Sequence, residues 1–272
     1  MSLPNELLTV ICSFLNINDI PKAALINHTW LGVIKDEFTW EAIGHRLLKI
    51  TFGTNIIKLW FRAVMHNKAY AVSGLLKAGF NVNVVDEVGY TALHQSAIHG
   101  SYEVFQILLD AKAKNVTAGI REVTPIHLAA RAGHGAIVNA LLRTGIDINS
   151  GDKHKCTALM HAVLENQSDV VQTLLRAGAE VNAKDDNSYT ALHYASIQDF
   201  HSIIQILLDD GADVTLTNTR GETAIYLAIK HEHCESVKIL LNAGATVNEL
   251  YDPEQRTLHI ATYKNIIKCR SF

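Results

Sequence analysis

The chain repeats itself every 33 residues. The quartet "TALH" begins at Thr91 and returns at Thr190, with "TPIH" at Thr124 and "TALM" at Thr157 between them, and the column continues to Thr223. Its fourth position runs through His94, His127, Met160, His193, Tyr226 and His259. Paired leucines keep the same spacing from Leu75-Leu76 to Leu240-Leu241, as do Gly79, Gly145, Gly178, Gly211 and Gly244. A fixed period of tens of residues marks a solenoid, in which each unit leaves an apolar face that only a neighbour covers. No catalytic centre requires such a beat.

Within one period the pattern predicts helix, helix and hairpin finger. In "TALHQSAIHGSYEVFQILLDA", Leu93, Ala97, Val104, Ile107 and Leu108 fall at helical spacing, and Gly100 ends the first helix so that the second turns back. In "GADVTLTNTRGET", Gly211 is placed for positive φ and a polar extended stretch follows. The expected class is all-α. With T-[PA]-[LI]-H, A-x-x-x-G-H and L-L-x-x-G-A-x-[VI]-N, the chain from 54 to 272 resembles the ankyrin repeat. About seven units are expected, at approximately 54-86, 87-119, 120-152, 153-185, 186-218, 219-251 and a partial 252-272. The resemblance implies that each Thr caps a first helix and that His94, His127, His193 and His259 bond neighbouring backbone. A row of metal ligands is excluded, because equivalent positions lie a repeat-width apart while ligand bonds are near 2 Å.

Composition narrows the function classes. The formal net charge of -3 gives no basic footprint for nucleic acid, and no apolar run reaches the length of a membrane span. The four cysteines, Cys12, Cys156, Cys234 and Cys269, are scattered, which predicts neither a disulfide framework nor a zinc knuckle and suits a cytoplasmic protein. The apolar run Leu7 to Leu15 lacks a basic leader. Phosphate loop, G-x-S-x-G elbow and H-E-x-x-H helix are all missing, so neither enzymatic activity nor a cofactor is expected. "HEHC" at His231 to Cys234 occupies the place of the repeat's Gly-His turn, which favours scaffold over metal. Cys269 stands four from the end as in a prenylation box, but Arg270 and Ser271 replace the aliphatic residues and argue against lipidation.

Residues 1-48 read differently. Leu7, Ile11, Phe14 and Leu15 form one apolar helical stripe after Pro4, a second helix starts at Asp19-Pro21, and Trp30 and Trp40 follow. All three tryptophans precede the first tyrosine, Tyr70, and no flexible linker intervenes, so a small helical bundle packed rigidly on the repeats is expected. L-P-x-E-L-L-x-x-I-x-S-F-L, then D-I-x-x-A-A-L and a Trp, resembles the F-box; Asn27 and His28 depart from the family's small and basic residues. That resemblance implies docking to the Skp adaptor and, through it, a cullin ubiquitin ligase, with Leu3, Pro4, Leu7, Ile11, Phe14, Leu15, Ile20 and Trp30 at the interface. An F-box ahead of ankyrin repeats also resembles effectors of intracellular bacteria and some large viruses, which implies a host-cytoplasmic site of action.

The target surface follows from the ankyrin resemblance, which places binding on finger tips and inner helices. The position before each motif threonine varies as Tyr90, Val123, Cys156, Tyr189, Glu222 and Gln255, and the inner helix ends on Ile98-His99, Arg131-Ala132, Leu164-Glu165, Ile197-Gln198 and Lys230-His231. The candidates are Tyr90, His99, Arg121, Arg131, Cys156, Tyr189, Arg220, Glu222 and Lys230, since aromatic and arginine side chains dominate interface energetics. The expected molecule is a monomeric, non-catalytic substrate receptor; a scaffold or sequestering protein uncoupled from ubiquitination is the alternative.

Overall fold

A computed structural model describes residues 54–119 and 122–246 of the chain. They fall into two compact units, divided between residues 120 and 121. The first holds α1 (Thr54–Met65), α2 (Ala69–Lys77), α3 (Ala92–His99) and α4 (Tyr102–Asp110). The second holds α5 (Pro125–Arg131), α6 (Gly135–Leu142), α7 (Ala158–Leu164), α8 (Ser168–Arg176), α9 (Ala191–Ile197), α10 (His201–Asp209), α11 (Ala224–Lys230) and α12 (Cys234–Asn242). The described residues are thus helical, without a named strand, and form stacked helix pairs of the ankyrin solenoid type. The segment 1-48, expected to be an F-box bundle, lies outside them, as does the expected partial last repeat 252-272.

Helices of seven to twelve residues are too short to persist alone, so packing must hold them. In the second unit α5, α7, α9 and α11 stack in one row and α6, α8, α10 and α12 in another, each pair leaning together. The paired leucines divide the labour. Leu141, Leu174, Leu207 and Leu240 are fully buried between the rows, whereas Leu142, Leu208 and Leu241 keep an exposed edge. Burying each such side chain stabilises by about 1.5–3 kcal/mol. In the first unit Trp60, Leu75, Leu93 and Phe105 fill the same role, and the Trp60 ring lies 4.8 Å from that of Phe80. Trp60 therefore belongs to the repeat core rather than to the amino-terminal module.

Each first helix starts on a threonine in extended backbone. At Thr91, Thr124 and Thr190 the hydroxyl accepts the N–H three residues on, and the Thr N–H donates to Nδ1 of His94, His127 or His193. At Thr157 and Thr223, where the column reads Met160 and Tyr226, only the first of these bonds forms. Second helices end on a positive φ. Glycine occupies that place at Gly79, Gly145, Gly178, Gly211 and Gly244, but the second repeat sets Lys112 there at φ 56°. Lys112 therefore keeps the left-handed backbone of the glycines with a side chain that disfavours it, although the turn that the other fingers make three to four residues on is absent at 115–116.

Fingers are tied to fingers. Asn149 Oδ1 accepts the Glu180 N–H and Asn182 Oδ1 the Asp213 N–H, both at 2.8 Å. In the first unit Asn83 Oδ1 accepts the Lys114 N–H at 2.9 Å. These are the asparagines of the L-L-x-x-G-A-x-[VI]-N motif, and they use one side-chain oxygen to fix the path of the next repeat.

Candidate functional site

The surface open to a partner is built on a polar scaffold beneath it. At the base of the finger that leads from the first repeat into the second, Asp86 Oδ1 accepts the Val88 and Tyr90 N–H groups at 2.9 Å, while Oδ2 accepts from Gln95 Nε2 at 2.7 Å. Asp152 repeats the arrangement with the His154 and Cys156 N–H groups and the His161 ring at 3.1 Å. Asp185 does so with the Asn187 and Tyr189 N–H groups and the Tyr194 hydroxyl. The donor always sits nine residues after the acid. Where that residue is Leu227, the acid is replaced by Asn218, whose Oδ1 accepts the Arg220 and Glu222 N–H groups and whose amide donates to Glu222 Oε2 at 2.9 Å. Where it is Leu128, the base is Gly119.

Electrostatics follow from this packing. Burial opposes ionisation of Asp152, but the His154 and Cys156 N–H groups and the His161 ring outweigh it and hold the carboxyl below its ordinary value. Burial likewise opposes the charge on Glu222, and Asn218 and Lys230 together depress its pKa. Burial, then Asp185, pushes the Tyr194 hydroxyl well up. His127 is lowered to about 4, by burial first and then by His161, whose ring lies edge-on at 5.3 Å. Its Nδ1 accepts from Thr124, so the proton sits on Nε2, which donates to the Ser150 carbonyl at 3.0 Å. His193, lowered by burial, donates to the Glu222 carbonyl at 3.2 Å. These imidazoles fit their sites in the neutral form alone.

The candidate target residues divide into three groups. Tyr90 and Tyr189 are half-buried: the Tyr90 ring stacks on His94 at 5.5 Å, and Tyr189 lies against Tyr194 and His193 at 5.4 and 5.7 Å. Cys156 is a half-buried thiol outside any disulfide. His99, Arg131, Arg220 and Lys230 are exposed, although Arg131 Nε donates to Glu165 at 3.0 Å and Lys230 to Glu222 at 2.9 Å. Glu222 is a correction. It is only 6% exposed, because Leu227 offers no hydrogen bond and the glutamate turns inward to satisfy Asn218. It supports the surface and does not belong to it. Arg121 and the residues expected to meet the Skp adaptor, Leu3, Pro4, Leu7, Ile11, Phe14, Leu15, Ile20 and Trp30, lie outside the described residues.

Two further findings concern cysteine and metal. Cys234 is disulfide-bonded, contrary to the expectation of a chain without disulfides, which the scattered spacing gave no means to foresee. Among the described residues no group of His, Cys, Asp and Glu is placed to hold a metal ion, and His233 of the "HEHC" run instead bonds the Ser196 carbonyl at 3.1 Å. No described helix is long and apolar enough to cross a membrane.

Comparison with known proteins agrees with this architecture. A family described as "Ankyrin repeats (3 copies)" matches residues 112–185, 151–218 and 192–271, and one described as "Ankyrin repeats (many copies)" matches 61–109. Inversin of the dog is 32% identical over 108 residues, which are 39% of this chain and 10% of that protein. The chicken nuclear factor NF-kappa-B p105 subunit is 27% identical over 109 residues, 39% of this chain and 11% of that protein. Human ankyrin repeat and SOCS box protein 3 is 35% identical over 88 residues, 31% of this chain and 17% of that protein. The chain thus spans a small fraction of the length of these relatives. With the repeat, its caps and the matches in agreement, the chain belongs to the ankyrin-repeat family.

Proposed function

We propose that the chain is a non-catalytic substrate receptor of a Skp-cullin-F-box ubiquitin ligase. Ankyrin repeats are modules of protein–protein interaction, and nothing in the described residues assembles a nucleophile, base and electrophile into a site. The observation that carries the finer reading is the order of motifs: the F-box-like run from Leu3 to Trp40 stands directly ahead of the repeats. A relative whose name pairs an ankyrin repeat with a SOCS box offers a parallel layout. In this reading the amino-terminal module holds the Skp adaptor and the repeats hold a target protein. Ubiquitin transfer is then promoted by effective concentration, with no group of this chain taking part in the chemistry.

Affinity capture from a eukaryotic lysate tests the reading. The doubly substituted Leu3→Ala, Pro4→Ala chain should lose Skp and cullin while keeping the helical circular dichroism of the wild type, because apolar anchors at a small interface carry most of its energy. Tyr189→Ala should weaken capture of the target and leave Skp in place. Unchanged Skp recovery in the first variant refutes the F-box assignment, and target capture without any Skp leaves an ankyrin scaffold.

A further inference from the structure

The finger that follows α4 lacks three fastenings that other fingers have. Where the preceding helix elsewhere ends on Gly79, Gly145, Gly178, Gly211 or Gly244, it has Lys112 at φ 56°. Where Asn83, Asn149 and Asn182 each hold the following finger by one oxygen, it has Val116, whose side chain is methyl groups alone. Where Asp86, Asp152, Asp185 and Asn218 each gather two N–H groups, it has Gly119. Gly119 stands at φ 71°, while those four residues lie outside the left-handed region. Thr215 also departs from asparagine, but Gly211 and Asn218 hold on either side of it. Among the described fingers, the one after α4 alone departs in all three columns.

The loss reaches the backbone. Four other fingers close a turn in which an N–H donates to the carbonyl three residues back: Val84 to Asn81, Ser150 to Asp147, Ala183 to Glu180 and Leu216 to Asp213, at 3.4, 3.3, 3.2 and 3.5 Å. After α4 no such bond forms. Asn115, Val116 and Thr117 are exposed and make no hydrogen bond among the described residues. The division of the chain into two compact units, between residues 120 and 121, falls directly after this stretch. The stability of a solenoid is a sum of repeat terms and of terms between neighbours, so cooperativity breaks first where the fastenings are fewest.

We infer that this finger is a joint at which the chain opens locally, so that the repeats before it and the repeats after it unfold as separate cooperative units. Residues 115–117 have no internal hydrogen bond to break when they move. The finger of Lys153 and Lys155 is the opposite case: to open, it must free two N–H groups from Asp152 and the His154 carbonyl from the Asp186 N–H. Opening free energies within one native protein run from near zero in the first kind of segment up to the global value in the core. Lys112 works in the same direction, because a side chain held at positive φ is relieved when the backbone is released.

Limited trypsin digestion of the full chain tests the joint, with exposed lysines of other fingers as internal controls. Within residues 54–246 the first cut should fall after Lys112 or Lys114, about tenfold faster than after Lys153, Lys155 or Lys184, all five being exposed. Amide hydrogen exchange in urea below the unfolding range should then show α3 and α4 opening on one urea dependence and α7 to α10 on another. Replacing residues 112–123 by a copy of residues 145–156, together with Leu128→His, restores the glycine, the asparagine, the acid and its donor. In that variant cleavage in the finger should slow to the rate of its neighbours and the two exchange profiles should converge. A first cut after Lys153, Lys155 or Lys184, or one exchange profile shared by all these helices in the wild type, overturns the inference whether or not the variant folds. A folded variant that is still cut first at this finger overturns it as well.

Discussion

The fingers that lead into the fifth and sixth repeats follow the same path with different chemistry. Ahead of the fifth, Asp185 takes two backbone N–H groups and the Tyr194 hydroxyl. In the sixth, Leu227 stands where Tyr194 did, and the base becomes Asn218, with Glu222 and Lys230 drawn in behind it. The backbone path is conserved between them because its two N–H groups need an acceptor in either case. What changes is how many surface residues are consumed to supply one. The sixth repeat gives up Glu222, and the amine of Lys230, to its own scaffold, while Arg220 stays exposed.

The largest test of that contrast is pH. Repeats with a buried capping histidine differ from those with Met160 or Tyr226 in their response to acid. His127 resists a proton down to about 4 when folded, against 6.5 ordinarily, and His193 shifts in the same direction. Between those values the unfolded chain binds more protons, so stability present above about pH 6.5 is lost as pH falls toward 4. The slope reaches about 1.4 kcal/mol per pH unit for each such histidine. Urea unfolding across this range measures it, and imidazole resonances of His127 that titrate near their ordinary value would contradict it. A separate loss, below the ordinary 3.8 and 4.5 of Asp152 and Glu222, belongs to the depressed carboxylates.

Next in size is removal of the base itself. Asp185→Ala strands two N–H groups and the Tyr194 hydroxyl and should cost roughly 2–4 kcal/mol in urea unfolding. Asn218→Ala should cost about half as much, because a neutral amide makes weaker bonds than a carboxylate. Equal losses would mean that the finger, rather than the charge, sets the energy. The smallest effect runs the other way. Lys112→Gly relieves a side chain at φ 56° and should stabilise the first unit by up to about 1 kcal/mol, read as a higher urea midpoint.

Much of the fold is legible in the sequence because the period exposes it. Threonine caps from Thr91 to Thr223 and the leucine pairs keep one residue type in one column, capping histidines depart from theirs at Met160 and Tyr226 and terminal glycines at Lys112, and the helices follow from them. The finger base is not legible that way. Its column reads Asp86, Gly119, Asp152, Asp185 and Asn218, and the donor column reads Gln95, Leu128, His161, Tyr194 and Leu227. Neither column is uniform in chemistry. Only their agreement at a nine-residue offset, donor with acid and leucine with none, reveals the bond. Glu222 was misplaced for the same reason: a position that is half-buried as Tyr90, Cys156 and Tyr189 becomes interior once its neighbour loses a donor. The residues expected to meet an adaptor, and Arg121, fall outside the described structure, so the sequence alone speaks for them.

The bonds between fingers set how such a chain can change in length. Asn149 reaches Glu180 and Asn182 reaches Asp213, each 31 residues on, and His154 and Asn187 reach Asp186 and Thr219 in the same fashion. Every donor met by one repeat therefore has a counterpart one period later. Excising the 33 residues 155–187 would hand Asn149 the Asp213 N–H, and His154 the Thr219 N–H, with no atom left over. A deletion of one residue fewer or more would leave them misaligned. Such a molecule gains or loses reach in whole steps, and a duplicated segment arrives already fitted to both of its neighbours.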